Sequence, residues 1–121
     1  MRPSLELFSD SLRVFSSAGK WLHPLFELED FLAGSSLARD ALSLRDRIVG
    51  KAAALLIARL GIRRVHAEIL SELGKEVLEA ARVSLSWDQL VPVISCRTES
   101  DLAGIQDPQE AYALLRQRAG R

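Results

Sequence analysis

The sequence predicts an α/β fold, and two kinds of pattern lead to this prediction. Short segments in which apolar and polar residues alternate are typical of strands, and longer segments with apolar residues at every third or fourth position are typical of helices. After an initial hairpin the two kinds follow one another along the 121 residues. Such an order favours a sheet with helices on both faces. We therefore expect one three-layer domain over residues 1–121, with a mixed sheet of about five strands, a typical sheet size.

The N-terminal segment predicts a β-hairpin. Leu5 and Leu7 alternate with their neighbours before Ser9-Asp10, and Leu12 and Val14 do so after it. Two runs of period two around a short polar turn indicate two antiparallel strands.

The next segment predicts the first helix. Pro24 suits a first helical turn, because its missing N–H has no intrahelical partner there. Leu25, Leu28 and Leu32 follow at helical spacing, and Gly34 is a suitable end. Residues beyond this glycine resemble a connecting loop.

A second helix is predicted after a short strand over residues 41–44. Asp46 is a suitable N-cap, because its carboxylate can accept from the exposed N–H groups of the first turn. The helix would run to about Leu60, and Gly61 would supply a left-handed stop. This helix has almost no polar face, so we expect it to be covered on more than one side.

Three further elements complete the prediction. Alternation over residues 65–69 indicates a strand, and Ser71 can cap the helix that follows it. Residues 83–87 are the fifth strand candidate. The units 41–70 and 64–87 then have βαβ length and should have right-handed crossovers. Asp107, followed by a first-turn proline and an acidic residue, predicts the start of the last helix.

Composition excludes several classes of function. Sixteen basic residues balance sixteen acidic ones, so the chain lacks the positive charge expected of a protein that binds a nucleic acid polymer or an anionic membrane. Cys96 is the single cysteine, which excludes an intrachain disulfide and four-cysteine zinc modules. The apolar run 52–58 is too short to cross a bilayer. These features predict a cytoplasmic protein without a cofactor.

Several segments of the sequence are similar to those of a protein family whose function is unknown. They include the sequence DRIVGKAAALL and the pairs and triplets around it, at residues 46–56, 61–62, 65–68, 71–72, 90–92 and 97. The chain resembles an uncharacterised prokaryotic family, domain-of-unknown-function family 1893, whose fold is cytidine-deaminase-like. The similarity extends over nearly the whole domain. The resemblance thus implies the order of hairpin, helix and βαβαβ.

The resemblance implies the fold but not the reaction of a zinc deaminase. Those enzymes carry a His or Cys ligand with a catalytic Glu at one helix start, and two Cys at the next. In the matching fold the first motif should lie near residues 46–51, which contain no His, Cys or Glu. The second should lie near residues 71–75, which contain no Cys. We therefore expect no metal site and assign no catalytic residue.

The triplet His66-Ala67-Glu68 matches the start of the deaminase zinc motif. It would have that role only if residues 65–81 formed one continuous helix and a Pro-Cys-x-x-Cys motif followed, but a single cysteine is present. In a strand, His66 and Glu68 instead point to one face. They could form a solvated polar face or line a cleft, where His is the side chain most easily shifted across neutral pH.

Two predicted helix starts are the main candidates for a site. Asp46, Gly50 and Lys51 would lie at the carboxyl edge of the sheet, where open α/β sheets bind ligands and exposed N–H groups favour anions. Ser71 and Glu72 open the next helix. The alternative is purely structural: caps, close packing at the glycine and a solvated lysine.

The preferred function is a small-ligand-binding module for an anion or a nucleotide. The alternative is a non-catalytic scaffolding subunit that forms a homodimer through the apolar run 90–94 at an exposed edge. A pairing of Cys96 with a histidine as a nucleophile has no support from the sequence pattern. The proposed ligand-binding residues are Asp46, Gly50, Lys51, His66, Glu68, Ser71 and Glu72.

Overall fold

The computed structural model describes residues 2–94, 102 and 104–120. Its strands are β1 (Leu5–Ser9), β2 (Leu12–Ser17), β3 (Leu42–Val49), β4 (Arg64–Ser71) and β5 (Ser84–Val91). Its helices are α1 (His23–Ala33), α2 (Lys51–Leu60), α3 (Glu72–Ala80) and α4 (Pro108–Arg118), with a 3-10 turn at Arg39–Ala41. The predicted α/β fold with an N-terminal hairpin is confirmed. None of the helices among these residues is long and apolar enough to span a membrane.

The five strands form one mixed sheet in the order β2-β1-β3-β4-β5. β1 pairs antiparallel with both β2 and β3, whereas β3, β4 and β5 are parallel. The two predicted βαβ units are therefore confirmed as β3-α2-β4 and β4-α3-β5. The order leaves β2 and β5 at the two edges of the sheet.

The prediction that Asp46 caps the second helix is wrong. Strand β3 continues to Val49, and Asp46 lies within it, opposite Leu5 on β1 and Ala67 on β4. Partners on both sides extend the strand, because each continues the ladder of backbone hydrogen bonds. Helix α2 begins at Lys51 after Gly50, which supplies no side-chain cap.

Other predicted helix boundaries are confirmed. Gly61 ends α2 in the left-handed conformation, with φ of 77°. Ser71 ends β4 and also caps α3, since its Oγ accepts from the backbone N–H of Gly74 at 3.0 Å. Asp107 caps α4 by accepting from the backbone N–H of Gln109. A single residue can serve both elements at position 71 because α3 follows the strand without a loop.

One face of the central strands is buried beneath the helices. Leu5, Leu44, Val65 and Ala67 are buried at paired positions, and paired residues on neighbouring strands point to the same side. Helix α2 is buried over seven consecutive residues from Lys51 and contacts α1, α3 and α4. We call this side of the sheet the covered face.

The other side of the same strands is polar. Arg45 and Arg47 on β3 are exposed, and His66 and Glu68 on β4 are partly exposed. Ser86 on β5 continues this surface beside His66. We call this side the polar face.

Helix α4 is anchored through one aromatic side chain. The Tyr112 hydroxyl donates to Oε1 of Glu29 on α1 at 2.6 Å. The guanidinium of Arg59, on α2, lies 3.4 Å from the centre of the Tyr112 ring and forms an ion pair with Glu29. These contacts join three helices, and Ala111 and Leu115 of α4 are buried beside them.

Candidate functional site

A cavity of about 380 Å³ opens between the starts of α1 and α2. Its walls come from the loop at residues 19–22, the end of β3 and the first turn of α2, together with Ser4 and Ile94. We call it the Asp46 cavity, after the buried carboxyl group in its lining.

Asp46 has an unusual titration in this position. Burial raises the pKa of its carboxyl group to about 7, and the nearby charge of Glu68 raises it further. Hydrogen bonds from the backbone N–H groups of Arg47 and Ile48 act in the opposite direction. A carboxyl group with this pKa is present in both forms near neutral pH, so it can donate or accept a hydrogen bond. Perturbed groups in clefts are candidates for functional residues.

A network of hydrogen bonds fixes the loop beside this carboxyl group. The hydroxyl of Ser4 lies 3.0 Å from the carbonyl of Ser17 and 2.9 Å from that of Gly19. The Ser17 hydroxyl in turn accepts from the Gly19 N–H and donates to Glu27 at 3.1 Å. A Cβ on Gly19 would come within 3.1 Å of Glu27, so the glycine permits this close packing.

Trp21 lines the cavity and leaves 42% of its surface exposed. Its backbone has φ of 54°, a conformation that bulky residues rarely adopt and that the surrounding structure must impose. The edge of its ring meets His23, with the ring centres 5.5 Å apart. Lys20 is an exposed cation that lines the same cavity, whereas the Arg47 side chain points to the polar face. An aromatic side chain and one positive charge thus lie at the opening.

The sequence-predicted site residues divide among separate places. Asp46 and Gly50 both line the cavity. Lys51 does not line it: the side chain is 3% exposed, and its ammonium group donates to the carbonyl of Leu102 at 2.8 Å. Ser71 is a buried cap, and Glu72 is an exposed residue of α3. The cavity lining therefore includes residues of the first predicted helix start, and the first turn of α3 packs against Gly50.

His66 and Glu68 lie in a strand, as predicted, and both point to the polar face. Glu68 forms ion pairs with Arg2 and, at 3.7 Å, with Arg47. The Nδ1 atom of His66 is 2.7 Å from Oγ of Ser86. Its Nε2 atom is 3.2 Å from a carboxylate oxygen of Asp88, but the pair lacks hydrogen-bond geometry. The sheet thus separates these residues from the Asp46 cavity.

Sequence reasoning missed Ser4 and Lys20 as cavity residues. Ser4 reaches the site because its carbonyl accepts from the N–H of Arg47 at 3.0 Å, beside the β1–β3 ladder. No local sequence pattern predicts this pairing of Ser4 with Arg47. The sequence signal nearest to Lys20 is the pair Ala18-Gly19, which interrupts the alternating pattern before the first helix.

Two points from the sequence concern Cys96 and the binding of a metal ion. Cys96 lies outside the described residues. Within the described part of the chain, no three His, Cys, Asp or Glu side chains lie together in a way that could hold a metal ion.

Comparison with known proteins identifies a family. The sequence profile described as TM1506, domain of unknown function (DUF1893), matches residues 7–118. The chain belongs to the DUF1893 family. A crystal structure of a DUF1893 family protein (TM1506) from Thermotoga maritima is similar, with 24% identity and a TM-score of 0.81. The similarity covers 96% of this chain and 80% of that one, and it shows a shared fold. No curated protein matches the chain.

Proposed function

We propose that this DUF1893 protein is a small-ligand-binding module and that the Asp46 cavity is its site. The ligand is a nucleotide or a comparable molecule, with a flat polar ring and an anionic group. The observation that carries the proposal is a buried carboxyl group, with a pKa near 7, in a cavity of suitable size. Ligand pockets span roughly 300–1,000 Å³ and combine apolar walls with few polar groups.

The polar groups of the cavity suit such a ligand. Asp46 would accept from a ring N–H, or donate to a ring nitrogen, according to its protonation state. Trp21 offers an exposed indole on which a flat ring can stack. Lys20 would face the anionic group.

The resemblance to the cytidine-deaminase-like fold also supports a nucleotide. In zinc deaminases the chemistry takes place at two helix starts. The first of these helix starts matches residues 46–51, and Asp46 and Gly50 of this segment line the cavity. We retain that fold assignment as part of the proposal.

A binding screen tests the proposal. Nucleosides, nucleoside mono- and triphosphates and inorganic phosphate are added separately, and stabilisation is measured as a shift in Tm. Compounds that raise Tm are titrated calorimetrically into the wild type, Asp46→Asn, Trp21→Ala and Glu68→Gln. We expect both cavity variants to weaken binding by about tenfold or more, which is 1.4 kcal/mol or more, and Glu68→Gln to bind normally.

Either of two results would refute this function. One is that no compound in the panel raises Tm. The other is that a nucleotide binds both cavity variants as tightly as it binds the wild type, since the ligand would then lie elsewhere.

We propose a second function from another class, a homodimer that associates through β5. This strand is at the edge of the sheet, and Leu90 in it is 37% exposed. Trp87 and Val93 add exposed apolar surface. Unpaired edges with apolar side chains favour association with another chain.

Light scattering tests the dimer. We expect a dimer for the wild type and a monomer for Leu90→Lys. Leu12→Lys is the matched control, because Leu12 is 69% exposed on the opposite edge strand β2. A monomeric wild type at micromolar concentration, or equal dissociation by both variants, would contradict this assignment.

A further inference from the structure

A second cavity, of about 460 Å³, lies on the polar face. It lies at the amino-terminal ends of β3, β4 and β5, whose side chains line it, and Phe8 of β1 lies at its margin. We call it the sheet-face cup. Its polar lining consists of Ser43, Arg45, Arg64, His66, Ser84 and Ser86.

Strand register arranges these six residues in two rows across the sheet. Ser43, Arg64 and Ser84 are directly opposite one another on β3, β4 and β5. Arg45, His66 and Ser86 form the next row on the same side. Opposite residues have Cβ atoms only about 5 Å apart, so the two rows present one compact surface of donors.

The charge of the cup is positive although the chain as a whole is neutral. Two arginines line it, and no carboxylate is among its lining residues. The acidic side chains of the polar face have other partners: Glu6 pairs with Arg13, and Asp88 approaches His66.

Arg45 differs from the charged side chains of this face that have a partner within the protein. It makes no hydrogen bond or ion pair with any residue in the described part of the chain, although Glu6 is its opposite neighbour on β1. An exposed guanidinium without a carboxylate partner keeps its planar fork of donors available.

The other members of the cup are held in place by the protein. Arg64 donates to the carbonyl of Asp40 at 2.6 Å, which directs its side chain. His66 contacts Ser86 at 2.7 Å through Nδ1 and Asp88 through Nε2, so it positions the serine hydroxyl beside the arginines.

We propose that the sheet-face cup is a phosphate-binding site, separate from the Asp46 cavity. The two guanidinium groups bind phosphate oxygens through charged hydrogen bonds, and the serine hydroxyls bind those that remain. The phosphate is either free or carried as a small monoester. This proposal goes beyond the function proposed for the Asp46 cavity and uses none of its residues.

An NMR titration at constant ionic strength tests the site. Inorganic phosphate and phenyl phosphate are added separately to the full chain, and backbone amide shifts are followed. We expect the amides of Arg45, His66 and Ser86 to respond and those of Trp21 and Gly50 to remain unchanged. A tighter response to phenyl phosphate would assign the monoester as the ligand, and an equal response would assign free phosphate.

Variants decide whether the response comes from a specific site. Arg45→Gln should weaken phosphate binding by about tenfold, the effect expected for loss of a charged hydrogen bond. Arg39→Gln is the control, because Arg39 is an exposed arginine outside the cup and donates to the carbonyl of Leu60. If both variants weaken phosphate binding equally, the binding depends on the overall surface charge and not on the cup, and the proposal is overturned. Shifts centred on Gly50, or no shifts at all, would overturn it as well.

Discussion

Asp46 and Glu68 are carboxylates on neighbouring strands, yet they have opposite surroundings. Asp46 lies on the covered face, where burial raises its pKa to about 7 and no cation of the described residues comes within ion-pair distance. Glu68 lies on the polar face and pairs with Arg2 and Arg47. Because successive residues of a strand point to opposite sides, a difference of one position decides which environment a side chain meets.

This comparison shows how the domain separates its two cavities. The sheet itself divides an apolar cavity with one buried acid from a basic cup open to solvent. Each candidate site takes its chemistry from one face. The predictions below test whether the two faces differ as much as the packing indicates.

The largest effect is expected for Asp46→Asn at pH 8. A folded-state pKa of about 7 against an ordinary value of 3.8 means that the native state holds the proton more tightly. Burial of Asp46 therefore does not lower the free energy of unfolding below pH 3.8. Above that pH it lowers the free energy of unfolding by an amount that grows until the pH reaches about 7. The full difference corresponds to about 4 kcal/mol in the free energy of unfolding. Asp46→Asn should recover a large part of it at pH 8 and little at pH 4, as measured by urea unfolding.

Glu68→Gln provides the matched control for this experiment. Glu68 is part of an ion-pair cluster on the polar face, so its removal should lower stability by no more than about 1 kcal/mol. If the effect of Asp46→Asn on stability is the same at pH 8 as at pH 4, the carboxyl group is not buried as described.

An intermediate effect is expected from truncation on the covered face. Leu44→Ala removes a side chain that is buried beneath the helices and should cost about 3 kcal/mol. Arg45→Ala, at the next position, should change stability by no more than about 0.5 kcal/mol, because Arg45 is exposed and unpaired within the described residues. Similar losses for the two variants would contradict the assignment of faces.

A smaller effect is expected where α3 approaches the end of β3. A Cβ on Gly74 would lie 3.0 Å from the carbonyl oxygen of Val49 and 3.1 Å from the backbone of Gly50. Backbone atoms cannot move aside easily, so Gly74→Ala should lower stability by about 1–2 kcal/mol even though alanine favours helices. Gly34→Ala is the control, since its nearest contact would be 3.9 Å away. Thermal unfolding of both variants gives the comparison, and a neutral Gly74→Ala would show that the helix can shift.

Much of the fold could be predicted because its signals are local. The cap at Ser71, the left-handed Gly61 and the cap at Asp107 each act through their own neighbours in sequence. The error at Asp46 arose because an acidic residue before an apolar run also matches a helix start. In the structure Arg45 and Arg47 alternate with the buried residues Leu44 and Asp46, but an aspartate does not mark a buried strand position in the sequence.

The cavities could not be predicted because they depend on pairing between distant segments. Ser4 and Trp21 meet Asp46 only after the N-terminal hairpin adds to β3. The cup similarly requires the register among β3, β4 and β5. The apolar residues Leu90 and Val91 were predicted at an exposed edge, and they are the last residues of the edge strand β5.

The position of α4 has a consequence for synthesis on the ribosome. Tyr112 and Leu115, which help to enclose the almost wholly apolar α2, are made more than fifty residues after that helix. While the nascent chain emerges, the sheet can assemble first, but part of α2 stays exposed to water until α4 arrives. Chaperones that recognise apolar helices could therefore bind α2 in this interval.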